Sequence, residues 1–343
     1  MTHTIRWNLH GITKINNREI KEAARFLRDG MTVAFPTETV YGLGADATSK
    51  EAVAKIFEAK GRPADNPLIA HVATKKQLEA LVDNLPESAE KLIDAFSPGP
   101  ITFVLPSNGT CAENVTAGLS TVAIRIPDHP VAIQLLKEVD IPIAAPSANL
   151  SGKPSPTTAD HVWMDLNEKI NGLIDGGTTG VGLESTVIDC TGEIPIILRP
   201  GGITMSQIEE VVGKVLVDPA LANKSEKPKS PGMMYTHYAP EAPLWLIAGS
   251  VDKLQEIIGY QQQSGKRVGV MASDETANAL QADQVVKLGS SENLTQVAIN
   301  LYPGLRSFKQ ATIDLILCET FSEKGIGQAI MNRLEKAATK YVK

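Results

Sequence analysis

Apolar and polar positions along the chain switch between a helical and an extended period, and each switch marks an element. Ile20, Ala23, Ala24 and Leu27 recur at helical spacing, with Asn17 as the expected cap and Gly30 as the stop. The apolar run 31–35 then predicts a strand halted by Pro36. Thr48 and Glu51 have capping-box spacing for a second helix that runs through Ala59 and ends at Gly61. Further strands are predicted over 68–72, 101–105, 121–126, 141–145, 185–190 and 194–198. Such mixed connections predict an α+β or mixed α/β domain, with a sheet large enough to curve around a pocket.

From about residue 217 to 240 the pattern dissolves into a stretch rich in Lys, Ser, Pro and Ala, which cannot bury a core and reads as a linker. After Pro243 a simpler rhythm begins, with strands expected over 244–248, 267–271, 284–288 and 313–317. Helices are expected near 251–263, 274–281, 292–302 and 325–340. This predicts a small doubly wound, Rossmann-like domain. The expected division is a catalytic domain over 1–216, a linker or lid over 217–242, and the smaller domain over 243–343.

The chain has 343 residues, too many for one ordinary core, and its 43% hydrophobic and 21% charged content is a normal globular balance. No apolar run reaches the roughly 18 residues of a membrane helix, and the first residues lack an apolar signal core. Cys111, Cys190 and Cys318 are far apart and form no CxxC pair, which favours a reducing compartment over a structural zinc site. A cytoplasmic protein is expected. A net charge of −6 provides no general attraction to nucleic acid, so an enzyme with a local cationic pocket is favoured over a primary RNA-binding protein.

Familiar nucleotide and hydrolase signatures are missing. There is no GxxxxGK[ST], and the fragment Ser151-Gly152-Lys153-Pro154 lacks its spacing. Gly180-Val181-Gly182 begins a GxGxxG pattern, but position 185 is Ser. No HExxH or GxSxG occurs, and the six histidines form no ligand cluster.

Six polar junctions carry the candidate chemistry instead. Pro36-Thr37-Glu38-Thr39-Val40-Tyr41-Gly42-Leu43-Gly44 reads as a capped turn, or as hydroxyl donors at the carboxyl end of a strand, where open α/β sheets bind ligands. Lys60-Gly61-Arg62-Pro63-Ala64-Asp65-Asn66-Pro67 reads as cations at a helix C-terminus, or as a polyphosphate clamp. His71 lies in an apolar stretch, where a satisfied core histidine is the commoner explanation. Arg125 interrupts the apolar run 121–126 and must either form a buried salt bridge or line a polar pocket that takes a carboxylate. The segments 145–152, 182–187 and 198–202 complete the set; each alone fits an ordinary turn, and their density is the stronger signal.

At these residues the chain resembles the YrdC/YwlC family of threonylcarbamoyl-AMP synthases, in the long form with an additional C-terminal domain. The matching stretches are PTETVYGLG (36–44), KGRPADNPL (60–68), VAIRIPDHP (122–130), APSANLSGKPSPT (145–157), STVID (185–189), RPGG (199–202) and HYAP (237–240). The resemblance implies a twisted sheet with a large cationic cavity. The reaction it implies forms threonylcarbamoyl-AMP and pyrophosphate from L-threonine, bicarbonate and ATP. Other proteins then transfer the threonylcarbamoyl group to tRNA next to the anticodon. It implies magnesium carried by ATP, and no prosthetic group. Threonine contacts would be Thr39, His71, Arg125, Ser147 and Ser185. Nucleotide contacts would be Lys60, Arg62, Asn66, Thr121, Asn149, Thr157, Arg199 and Tyr238, with Lys60 and Arg62 serving catalysis.

Two rivals are weighed. An RNA-binding module without ATP turnover would use a concave basic cavity, against which the acidic net charge and the lack of a long basic stripe count. A carbamoyl-transfer domain of the kind found in hydrogenase maturation would bring zinc-finger segments, and this chain has no CxxC.

Overall fold

Short apolar runs become strands here because both of their faces are covered, so they need no alternation. In the computed structural model, residues 2–11, 18–222, 237–310 and 312–343 are described. They divide into two units. One gathers the described residues up to Ser151, then Ser155–Gly180, then those from Glu184 to 222. The other gathers Gly152–Pro154, Val181–Leu183 and the described residues from 237 onward.

The first unit is built on one mixed sheet, with eleven strands among the described residues. In chain order they are β1 (Ile5–Asn8), β2 (Val33–Phe35), β3 (Gly42–Asp46), β4 (Ile69–His71), β5 (Ile101–Pro106) and β6 (Thr121–Arg125). Then follow β7 (Ile143–Ala144), β8 (Gly172–Asp175), β9 (Thr186–Asp189), β10 (Ile196–Arg199) and β11 (Leu216–Val217). Their spatial order is β1-β8-β2-β3-β7-β4-β6-β5-β9-β10-β11. Parallel and antiparallel pairs mix: β4 runs parallel to β6, whereas β2–β3, β5–β6 and β9–β10 are antiparallel.

Sequence periodicity missed β1, β3, β8 and β11. In β3 the cause is glycine. A Cβ on Gly44 would come 2.8 Å from the Ile143 side chain and 2.9 Å from Phe35, so close strand packing demands the residue that propensity counts against a strand. β11 extends the sheet by pairing Leu216–Val217 with Ile196–Ile197, so the linker pattern begins inside a strand.

The helix Arg18–Arg28 buries Ile20, Ala23, Ala24 and Leu27, as its period predicts. Its expected cap, Asn17, lies outside the described residues. The helix Lys50–Lys60 ends at Gly61 in the left-handed region, φ 60°. Its N-cap is Ser49 rather than Thr48: the Ser49 side chain accepts from the Ala52 N–H. Thr48 is drawn off by Asp46, whose carboxylate accepts both its N–H and its hydroxyl, leaving the cap position to the next residue.

The second unit holds β12 (Leu244–Ile247), β13 (Val268–Ala272), β14 (Gln284–Lys287), β15 (Leu315–Glu319) and β16 (Lys340–Val342), all parallel, in the order β14-β13-β15-β12-β16. Its helices are Val251–Gln263, Asp274–Ala277, Leu294–Ser307 and Gly327–Ala337. The third runs past the expected stop through Pro303, because buried Leu301, Tyr302 and Leu305 continue one apolar stripe across the proline. The last helix ends earlier than expected and leaves residues for β16. Among the described residues no helix is long and apolar enough to cross a membrane.

Candidate active site

Parallel pairing of β4 and β6 sets His71 opposite Arg125, both at the carboxyl ends of their strands. Arg125 is buried, 3% exposed, so its charge requires local partners. Nη2 lies 2.7 Å from a Glu38 carboxylate oxygen, Nη1 donates to Thr39 Oγ1 at 2.8 Å, and Nε donates to the Gly99 carbonyl at 3.3 Å. Both readings of Arg125 from sequence therefore have a footing: it is ion-paired, and its pair sits in the polar loop that follows β2.

The hydroxyls of that loop have fixed polarity. Thr37 Oγ1 donates to the Val40 carbonyl at 2.7 Å and lies 2.8 Å from Thr39 Oγ1. Its single proton being used, Thr39 must donate to Thr37, and it accepts from Arg125. What Thr39 retains is acceptor capacity.

Lys60 leaves the last turn of its helix and donates to the carbonyls of Ser147 at 2.5 Å and Asn149 at 2.6 Å. Ser147 Oγ donates in turn to Asn149 Oδ1, and the Ser151 N–H to the Lys60 carbonyl. This cation thus holds the loop after β7 in shape. Backbone bonds stitch the same loop to the stretch after β2, with Ala148 N–H donating to Tyr41 O and Leu43 N–H to Pro146 O.

Ser185 and Arg199 meet at the other end. Ser185 Oγ lies 2.7 Å from Thr102 Oγ1, and Arg199 donates to the Ser185 carbonyl through Nε (3.2 Å) and Nη2 (3.0 Å). Gly201 follows because a Cβ there would strike the backbone of Glu184, Ser185 and Thr186 at 2.3–2.4 Å. The two ends are tied through the loop before β5: the Gly99 carbonyl serves Arg125, and the next carbonyl, Pro100, accepts from the Thr186 N–H.

Of the remaining expected residues, Asn66 is the most telling. It is 1% exposed, and among the described residues neither its amide nitrogen nor its amide oxygen has a hydrogen-bond partner. A buried primary amide left in that state points to a ligand that completes it. Arg62 reaches the Asn66 carbonyl at 3.4 Å. Thr157 is fully buried beside His161, and Thr121 opens β6. Tyr238, the last of the expected nucleotide residues, is described within its own unit. It belongs to the second unit, 5% exposed, stacked on Tyr302 with centroids 5.4 Å apart and with Arg333 over its ring at 5.8 Å. Most of the expected linker lies outside the described residues.

Sequence reasoning assigned no role to Glu38, Thr37, Thr102, Thr179 or Glu184. Glu38 and Thr37 sit inside a motif that was singled out, so their signal was present. Thr179 Oγ1 is buried with no hydrogen-bond partner among the described residues, beside Thr157, whose carbonyl accepts from its N–H. Glu184 accepts from Ser155 Oγ at 2.5 Å, a pairing across 29 positions that no local pattern reveals.

His71 Nδ1 lies 3.1 Å from the Ile69 carbonyl. Burial, and after it the charge of Arg125, pushes its imidazole down to about 3, so it is neutral at physiological pH. Below the ordinary value of 6.5 the unfolded chain takes up a proton that the folded one refuses. This contribution to stability is therefore full above about pH 6.5 and is lost progressively toward pH 3. Urea unfolding should show a falling midpoint between pH 7 and pH 4, and His71→Asn should flatten that slope. An unaltered slope in the variant would assign the acid sensitivity to other groups.

Two family models together match most of the chain. Residues 25–201 match the Sua5/YciO/YrdC family model, described as telomere recombination, and residues 203–339 match the model described as threonylcarbamoyl-AMP synthase, C-terminal domain. The chain is 54% identical over 324 residues to the threonylcarbamoyl-AMP synthase of Bacillus subtilis (strain 168), covering 94% of each. It is 49% identical over 330 residues to that of Pyrococcus abyssi, covering 95% of each. Among solved structures, P. abyssi Sua5 complexed with L-threonine matches with a TM-score of 0.92 at 46% identity, covering 100% of both chains.

Proposed function

The chain belongs to the threonylcarbamoyl-AMP synthase family in its long form, and from that premise we propose that it converts L-threonine, bicarbonate or CO2 and ATP into threonylcarbamoyl-AMP and pyrophosphate. The observation that carries this reading is a buried guanidinium, Arg125, set among hydroxyls and within one bonded network of loops that also includes Ser185 and Arg199. Arg125 would take the threonine carboxylate. Thr39, Ser147 and Ser185 would meet its hydroxyl end, beside the neutral ring of His71.

Nucleotide contacts are proposed for Lys60, Arg62, Asn66, Thr121, Asn149, Thr157 and Arg199, and the unpartnered amide of Asn66 supports the set. A carbamate formed on the threonine nitrogen attacks the α-phosphorus through oxygen, and pyrophosphate leaves. Such transfers depend on positioning and charge stabilisation and need no protein nucleophile. Magnesium carried by ATP would offset the phosphate charge. The side chains proposed here are amides, hydroxyls and cations, which suit phosphate oxygens rather than a metal ion. A tRNA threonylcarbamoyl-transferase complex would consume the product, with no need for this chain to bind tRNA first.

The test is one incubation with ATP, threonine and labelled bicarbonate, followed by chromatography of the nucleotides. Label should enter an AMP conjugate only when threonine is present, and serine, one methyl smaller, should support a weaker reaction, by about 1–3 kcal/mol. Pyrophosphate release that is independent of any amino acid would overturn the proposal.

A further inference from the structure

Resting on the synthase reading, we infer that Glu38 is the partner of the threonine ammonium and the first acceptor of its proton. Its side chain is 12% exposed, and beyond the Arg125 ion pair neither carboxylate oxygen has a hydrogen-bond partner among the described residues. A carboxylate kept only to neutralise a buried guanidinium is ordinarily saturated by nearby N–H or O–H groups. Here those groups are turned elsewhere: Thr37 donates to Val40 O, and Thr39 to Thr37. The open lone pairs of Glu38 call for a donor that arrives with the ligand, and an ammonium brings three N–H groups.

Charge makes the same point. Glu38 and Arg125 form a neutral dipolar pair 2.7 Å apart. An amino-acid zwitterion is its complement, carboxylate to Arg125 and ammonium to Glu38. A second carboxylate beside Arg125 would otherwise face repulsion from Glu38, and the ammonium removes that conflict.

The chemistry then requires a base. Threonine arrives as R–NH3+ and must lose one proton before its nitrogen lone pair can attack carbon. Glu38 takes that proton and becomes neutral. The free amine forms the N–C bond to CO2, the nitrogen gives up a second proton to solvent, and the product is the carbamate anion R–NH–CO2−. From bicarbonate, one water also leaves and only one net proton is released. Protonating Glu38 removes its negative charge as the product acquires one beside it. His129 is half-buried, and the negative charge of Glu38 acts on it only against the larger effect of burial.

The experiment uses the full chain and two ligands, L-threonine and 2,3-dihydroxybutanoate, which carries a hydroxyl in place of the amine. Calorimetry on wild type and Glu38→Gln should show threonine weakened roughly 10–100-fold and the analogue weakened far less. Equal loss for both ligands would mean that Glu38 only supports Arg125, and would overturn the inference. At saturating threonine, the Glu38→Gln rate should climb about tenfold per pH unit toward the amine pKa, while wild type stays level. Over pH 7–9 His71 and His129, both held below their ordinary range chiefly by burial, remain neutral. Parallel pH profiles in the two proteins would overturn the base role. If Glu38→Gln fails to fold, Glu38→Asp, which keeps the charge but retracts it, must show the same ligand discrimination. A wild-type protein that binds no threonine would overturn the synthase reading itself, which separates that failure from this one.

Discussion

Arg125→Ala is expected to remove threonine use almost entirely, lowering kcat/KM for threonine by about a thousandfold, while ATP binding survives. The guanidinium is 3% exposed and touches Glu38, Thr39 and the Gly99 carbonyl, so its loss deletes the proposed carboxylate anchor and strands a buried carboxylate. Breaking one side of a buried pair costs about 3–5 kcal/mol, so the variant should also melt earlier. The double variant Arg125→Met with Glu38→Leu separates the two effects. Replacing a buried pair by apolar side chains is often neutral for stability, so the melting temperature should recover while threonine binding does not. If threonine binding returns with stability, the salt bridge is a structural element and the subsite lies elsewhere. Calorimetric titration of each ligand, alongside thermal unfolding, decides between these outcomes.

Lys60→Ala and Arg62→Ala should both cripple pyrophosphate release, by different routes. Lys60 donates to two carbonyls of the loop after β7, so removing it leaves buried acceptors unmade, each worth about 1–3 kcal/mol. That loop carries Ser147 and Asn149, so Lys60→Ala should weaken threonine and ATP together and lower the melting temperature. Arg62 is half-buried whereas Lys60 is buried, so its removal should cost less stability than that of Lys60. Its effect should fall on turnover, roughly 100–1,000-fold, as expected when a positioned cation is withdrawn from developing phosphate charge. Steady-state pyrophosphate release with threonine and bicarbonate saturating, set beside the unfolding curve of each variant, tests both. Normal release by a folded Arg62→Ala protein would end the clamp reading of the 60–68 segment.

Local signals carried far in this chain because many are self-contained. An apolar stripe at helical spacing settles Arg18–Arg28 whatever it packs against, and Gly61 ends its helix by adopting a left-handed φ that other residues resist. The parallel rhythm of the second unit was legible for the same reason, since strands buried on both faces read as apolar runs between amphipathic helices. So were the polar junctions, whose residue types belong at strand ends that receive ligands. The short form of Asp274–Ala277 and the passage of a helix through Pro303 escaped, because packing against the rest of the unit overrode local preference there.

By itself, then, the sequence determined the α/β class, most of the strands and the polar loops at their ends. It left open what each polar side chain does once buried. Whether Arg125 is paired, and with which carboxylate, depends on β4, β6 and the loop after β2 arriving together across 87 positions of chain. That Lys60 shapes a loop at residues 147–149 rests on carbonyl directions that only the closed sheet provides. Tyr238 stands in the HYAP stretch, and its ring lies on Tyr302, a partner 64 positions away. The physical reason is common to all three. The cost of burying a polar group is met by partners distant in sequence, so composition shows that a partner must exist, and only the tertiary structure decides which one it is.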